Sequence, residues 1–408
     1  MTTLVTRRDP LAFELIKNAL AGIADGMAVT VMRTARSFVV KQTMDFSTAL
    51  LDPEGELIAQ GMCSPLHLGS MPSAFAGVRR RYADQFEPGD IYVINDPYSG
   101  GSHLPDIFLF KPIFVEGAVV AVAGVIAHQT DIGGRVSGGN ACDSTEIYQE
   151  GLRLPALRLF ERGVANSAIF DILALNVRVP DKVLGDVRAQ IAALHQGERE
   201  FLRLAEEYGV PELTGYIAEL LDYTERFTRA EIRAIPDGTY TFTEHVDDDG
   251  IDPDPIRIEL ALTVEGDTIT ADFTGTSPQC KGAIQQNLSA TRAMVYAAVR
   301  CVLDPAVPNN GGYFRPIRVV APEGSFVNPL HPAPVAARAL GAWRRLSSAP
   351  SPRPCPAASS RHGAGASSGS ASAATTPAGK RSSTSSSTTI RAGEAGRRRT
   401  DSTATRAR

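Results

Sequence analysis

Two apolar segments rich in β-branched and aromatic residues, 107–115 and 118–127, are separated only by Glu116-Gly117, the pattern of a β-hairpin. Elsewhere the apolar spacing is helical. Leu11, Leu15, Ile16, Leu20, Ile23, Met27 and Val31 follow an Asp9-Pro10 start and predict an amphipathic helix that ends before Ser37. Residues 38–60 alternate as two strands about Asp52-Pro53-Glu54-Gly55, with Asp45 inside the first. A short helix and loop over 64–86 lead into a buried strand at 91–94. Pro180 opens a long helix through Tyr208, closed by Gly209, and a second helix runs from Pro211 to about Ala234. This helical hairpin is expected to dock on the sheet. Strand patterning returns over 238–273, broken at Asp247-Asp248-Asp249-Gly250, and is followed by a helix over 289–303 and a strand at 317–320. Hairpins without regular strand–helix–strand alternation predict an α+β fold of antiparallel sheets flanked by helices.

Beyond Trp343 the patterning stops. Only Leu346 and Ile390 are large aliphatics there, and a segment of Ser, Ala, Arg, Pro and Gly cannot bury enough apolar surface to offset chain entropy. A disordered C-terminal tail is predicted, and its abrupt start resembles translation in a shifted frame of a GC-rich gene. The expected organisation is an α+β region around the hairpin at 1–174, the helical hairpin at 175–237, a second α+β region at 238–342 and the tail at 343–408.

The 408 residues are 43% hydrophobic and 21% charged, with a net charge of −4, which argues against a nucleic-acid groove. The longest uncharged apolar run, 117–127, is too short to cross a bilayer, so no membrane role is expected. No signal peptide precedes Asp9, and five cysteines without CxxC spacing point to a reducing, cytoplasmic home. The phosphate-binding P-loop, the dinucleotide GxGxxG, the GxSxG elbow and HExxH are all missing, so any nucleotide is bound elsewhere, as in one component of a larger assembly.

The hairpin supplies the candidate chemistry. Antiparallel pairing about Glu116-Gly117 sets Asp106 opposite the segment end that closes with His128, and His103 lies three residues before Asp106. Two imidazoles and a carboxylate at one end of a rigid ribbon can hold a mononuclear metal. Asp45, an acid in an apolar strand, either faces water or meets a cation. Asp96 suits a ligand, an acceptor orienting a histidine, or a turn cap before Pro97; Asp131 and Asp96 are the candidates for proton transfer. The Gly100-Gly101 and Gly133-Gly134 loops could bring backbone N–H groups to an oxyanion, or could be tight turns. The acidic tripeptide at 247–249 lacks the spacing of a calcium loop and reads as an exposed turn.

The stretches MDFSTALLD, NDPYSGGSHLPDI, AHQTDIGG, EIYQEGLRLP, NVRVPDKVLGDVRAQIAA, GAIQQNLSATRAMVYA and PNNGGYFRPIRVVAPEGSFVNP run in one order from the N-terminal region to about Ala336. In these the chain resembles the hydantoinase B/oxoprolinase family. The resemblance implies a B-type subunit working with an A-type partner that binds ATP and activates an amide or ketone by phosphorylation. Hydrolysis of a lactam or hydantoin, or carboxylation of a ketone, would then be completed at a metal held by the B-type subunit. It implies Asp45, His103, Asp106 and His128 as ligands. Two imidazoles and two carboxylates suit Zn²⁺ or Mn²⁺ better than Ca²⁺ or Mg²⁺. Family members continue with a glycine-rich section where this chain carries its tail. Two rivals are a mononuclear iron oxygenase and a non-catalytic scaffold that only assembles with the A-type subunit.

Overall fold

The computed structural model describes residues 8–337 apart from 62, 63, 65, 66, 68, 83 and 84; the tail expected from residue 343 lies outside the described residues. In chain order the elements are α1 (Pro10–Thr34), α2 (Phe38–Lys41), β1 (Phe46–Leu51), β2 (Leu57–Gln60), α3 (Ser70–Tyr82), β3 (Ile91–Ile94), β4 (Asp106–Val115) and β5 (Ala118–His128). There follow β6 (Leu157–Glu161), β7 (Val164–Ala165), α4 (Ser167–Asn176), α5 (Pro180–Tyr208) and α6 (Val210–Ile232). The last are β8 (Gly238–Val246), β9 (Ile256–Glu265), β10 (Thr268–Asp272), α7 (Leu288–Arg300), α8 (Gly311–Phe314) and β11 (Ile317–Val320).

Seven strands form one sheet in the order β2-β1-β5-β4-β3-β6-β7, every neighbouring pair antiparallel. A second sheet, β11-β10-β9-β8, is antiparallel except for the β10/β11 pair. The fold is the α+β arrangement predicted. Both faces of the seven-stranded sheet are covered, which is why its strands read as nearly continuous apolar runs although they are antiparallel. Ile107, Leu109 and Ile113 of β4 and Ala123, Val125 and Ala127 of β5 point into a core shared with α1 and α5. The alternate residues Phe108, Phe110, Val122 and Ile126 pack with Phe75 and Val78 of α3 on the opposite face. Each fully buried side chain of this size contributes about 1.5–3 kcal/mol. A third cluster joins the second sheet to α7 and the end of α6. The described residues all belong to one compact unit.

The hairpin turn closes with both central residues at positive φ, Glu116 at 50° and Gly117 at 82°, matching the twist of the strands it joins. A bulge at Ile113/Phe114 absorbs one residue, and from there the register runs to Asp106 opposite His128.

Some elements differ from expectation. Residues 38–41 are a helical turn rather than strand, because the Ser37 hydroxyl accepts from Val40 N and caps it. Asp45 consequently precedes β1 instead of lying inside it. In α1, Leu11 and Leu15 are exposed while Phe13 takes the inner position. This helix is long and apolar enough to cross a bilayer by length and composition alone, but its apolar face already has a partner in α5 and the sheet. Helix α4 had no counterpart in the pattern. Asp249, expected in an exposed turn, is buried, and its carboxylate accepts the backbone N–H groups of Ile251, Asp252, Lys281 and Gly282.

Candidate metal centre

Asp106 N donates to His103 O at 3.0 Å, and this tight turn at the start of β4 sets the two side chains together. The β4/β5 register brings His128 opposite. His103 Nε2, His128 Nδ1 and Asp106 Oδ1 then form a triangle with all three edges at 3.1 Å. His103 and Asp106 are buried, and His128 is half-buried at the rim. Among the described residues these three are the group whose donor atoms all lie within 4.8 Å of one another.

The far nitrogen of His103 lies 3.1 Å from the Ala336 carbonyl, a contact that requires Nδ1–H as donor. In the neutral ring Nε2 then turns a lone pair toward the Asp106 carboxylate and His128. Such an electron-rich triangle calls for positive charge at its centre. Two ligands each about 2.1 Å from a common ion stand about 3.0–3.4 Å apart at octahedral to tetrahedral angles, so the spacing fits a divalent cation. With no ion bound, a proton on His103 supplies that positive charge: burial works against ionising Asp106, but the charge of the protonated His103 and hydrogen bonds from His103, His128 and His67 outweigh it and hold the carboxyl well below the usual range. The Ser102 hydroxyl donates to Oδ2, which leaves Oδ1 directed at the triangle.

Asp45 is tied in through its main chain, since His128 N donates to Asp45 O at 3.0 Å. Its Oδ2 stands 4.0 Å from His128 Nδ1, one step outside the close triangle and on the solvent side. The structure therefore gathers all four residues, three tightly and Asp45 at the rim.

His67 is a member the sequence reading missed. It is buried, its Nδ1 lies 3.0 Å from Ser47 Oγ, and its Nε2 is 3.6 Å from Asp45 Oδ1 and 3.8 Å from Asp106 Oδ1. The sequence signal was slight: Ser47 lies two residues past Asp45 and so shares its side of the chain, but only the return of the segment before α3 brings His67 there.

Asp96 and Asp131 do not join the cluster. The Asp96 carboxylate caps the short turn Pro97–Ser99, accepting from Tyr98 N at 3.1 Å and Ser99 Oγ at 2.6 Å. Asp131 accepts from Gly138 N at 2.9 Å, Arg178 N at 2.6 Å and Arg178 Nη1 at 3.0 Å, which latches the loop after β5 to the start of α5. The glycine loops are likewise filled by the protein itself. A Cβ on Gly100, at φ 116°, would stand 2.1 Å from Ser73 O, and one on Gly134 would stand 2.5 Å from Glu150 C.

The profile of the family described as hydantoinase B/oxoprolinase matches residues 9–406. A Pseudomonas sp. (strain NS671) protein assigned as the B component of a D-/L-hydantoinase is 34% identical, over 81% of this chain and 58% of that one. The crystal structure of the ATP-dependent caprolactamase from Pseudomonas jessenii superposes with a TM-score of 0.76 at 33% identity, over 81% of this chain and 57% of that chain. Nucleotide-free acetone carboxylase matches with a TM-score of 0.75 at 19% identity, covering 81% and 46% respectively, a likeness of fold alone. The chain thus spans little more than half the length of these hydantoinase and caprolactamase relatives. With its fold shared and its motifs converging on one cluster, the chain belongs to the hydantoinase B/oxoprolinase family.

Proposed function

We propose that this chain is the metal-binding, B-type subunit of an ATP-dependent enzyme that hydrolyses a cyclic amide, a lactam or hydantoin, after an A-type partner has activated it with ATP. The observation that carries the reading is the 3.1 Å triangle of His103 Nε2, His128 Nδ1 and Asp106 Oδ1, with the other nitrogen of His103 committed to Ala336 O. Zn²⁺ or Mn²⁺ held there would supply a Lewis acid able to polarise the amide carbonyl or make a bound water acidic. The protein's own groups do the rest. Ser102 fixes the Asp106 carboxylate, and Asp45 is the acid placed to reach a substrate arriving from solvent. When Ser47 donates to His67 Nδ1, the His67 proton sits on Nε2 between the two carboxylates and restrains both.

An amide substrate is preferred to a ketone because identity is 33% to the caprolactamase and 19% to the carboxylase. The test is to combine the full chain with a co-expressed A-type subunit, MgATP and a lactam or hydantoin, and to measure the ring-opened amino acid. The reading expects ATP-dependent ring opening, with the rate reduced at least about 100-fold in His128→Ala. An intact complex that turns over nothing and holds no metal would replace it with a scaffold role.

A further inference from the structure

The motif EIYQEGLRLP contributes no side chain to the triangle, yet its Glu150 is among the most buried carboxyls of the described residues, at 1% exposure. Glu150 Oε1 accepts two hydrogen bonds from chain nearly two hundred residues away, from Val335 N at 2.7 Å and Ala336 N at 2.9 Å. The carbonyl of that same Ala336 meets His103 Nδ1 at 3.1 Å. One side-chain oxygen thus fixes the two peptide planes that lead into the residue whose carbonyl is the acceptor of a proposed ligand.

We infer that Glu150 is a positioning residue for the His103 ring, acting through the main chain of Val335-Ala336. This inference rests on the proposed metal role of His103. The strap that carries the carbonyl is pinned at other points: Ile147 N donates to Pro332 O at 2.9 Å, the Tyr98 hydroxyl donates to Ala333 O, and Ala337 N donates to Ala283 O at 2.9 Å. The first two contacts hold the strap near the site, and the third fixes the peptide plane of the Ala336 carbonyl from its far side, since Ala337 N belongs to that plane. The Glu150 pair fixes the two peptide planes that precede it, so the carbonyl is held from both sides. Glycines let Glu150 approach so closely, since a Cβ on Gly134 would stand 2.5 Å from Glu150 C and one on Gly139 would stand 3.1 Å from Glu150 O. Glu150 Oε2 is buried without a partner among the described residues, an arrangement kept only if the contacts of Oε1 compensate. Outer hydrogen bonds of this kind fix the tautomer and orientation of a ligating imidazole, and losing one typically costs about 10–100-fold in metal affinity.

The test uses the full chain with selectively ¹⁵N-labelled histidine and reads two quantities, Zn²⁺ affinity by chelator competition and the Nδ1–H signal of His103 in metal-free protein. Glu150→Gln keeps the accepting oxygen and is expected to stay within about threefold of wild-type affinity, with the His103 signal retained. Glu150→Ala, and Glu150→Asp, which withdraws the oxygen by one methylene, are expected to weaken Zn²⁺ by about 10–100-fold and to shift or broaden that signal. Val264→Ala, a truncation in the cluster beneath the second sheet, controls for general destabilisation and is expected to change neither. Wild-type affinity and an unaltered His103 signal in the Ala and Asp variants would overturn the inference, as would equal losses in Val264→Ala. If wild-type protein takes up no Zn²⁺, the metal reading fails on its own, and the His103 signal still decides whether Glu150 orients that ring.

Discussion

Asp106 and Glu150 are both buried carboxyls, and burial pushes both toward the protonated form. Their surroundings send them opposite ways. Asp106 is faced by three imidazoles and stays ionised well below the usual range, whereas only two backbone N–H groups oppose burial at Glu150, whose carboxyl is pushed up to about 8 from 4.5. Between those two values the folded protein keeps a proton that the unfolded chain has released. Stability therefore falls as pH rises through that window, by up to about 1.4 kcal/mol per pH unit. Urea denaturation at several pH values between 5 and 8 should show this decline in wild type and a flatter profile in Glu150→Gln; parallel profiles would remove Glu150 as the cause. At this scale His103, Asp106 and His128 were legible because hairpin register is a local property of sequence. His67 and Glu150 were not, since each takes its meaning from a partner segment that only the tertiary fold supplies. Asp96 and Asp131 were legible as strand-end acids, but a cap before proline and a latch to Arg178 employ such acids equally well.

Helix α3 packs against the loop after β3 with no room between backbones. A Cβ on Gly77 would stand 2.2 Å from Ser99 O, while one on Gly22, on the exposed side of α1, would meet nothing within 4 Å. Gly77→Ala is expected to destabilise by about 1–3 kcal/mol, because a backbone carbonyl must move. Gly22→Ala is expected to stabilise by up to about 1 kcal/mol through helix propensity. Chemical denaturation of both variants checks the pair, and effects of the same sign would contradict the packing described. Long elements were readable from sequence: Pro180–Tyr208 begins at its proline and ends before its glycine. Short ones were not. The turn at Phe38–Lys41 has β-branched residues that favour strand, and the Ser37 cap overrides them. Helix α4 buries only Ile169 and Leu173, too few for a periodic signal.

Across the whole molecule, the cluster draws on residues from Asp45 to Ala336, so its assembly reports on the fold as a unit. The motif order made the family legible. The participation of the 333–336 strap was not, because it works through main-chain groups that any side chain could carry. Elemental analysis of purified full-length protein, compared with a His103→Ala/His128→Ala double variant, tests the central claim most directly. The account predicts one Zn²⁺ or Mn²⁺ per wild-type chain and none in the double variant, with the far-ultraviolet circular dichroism of the two alike. Folded wild-type protein without a stoichiometric ion, or a double variant that retains it, would contradict the account.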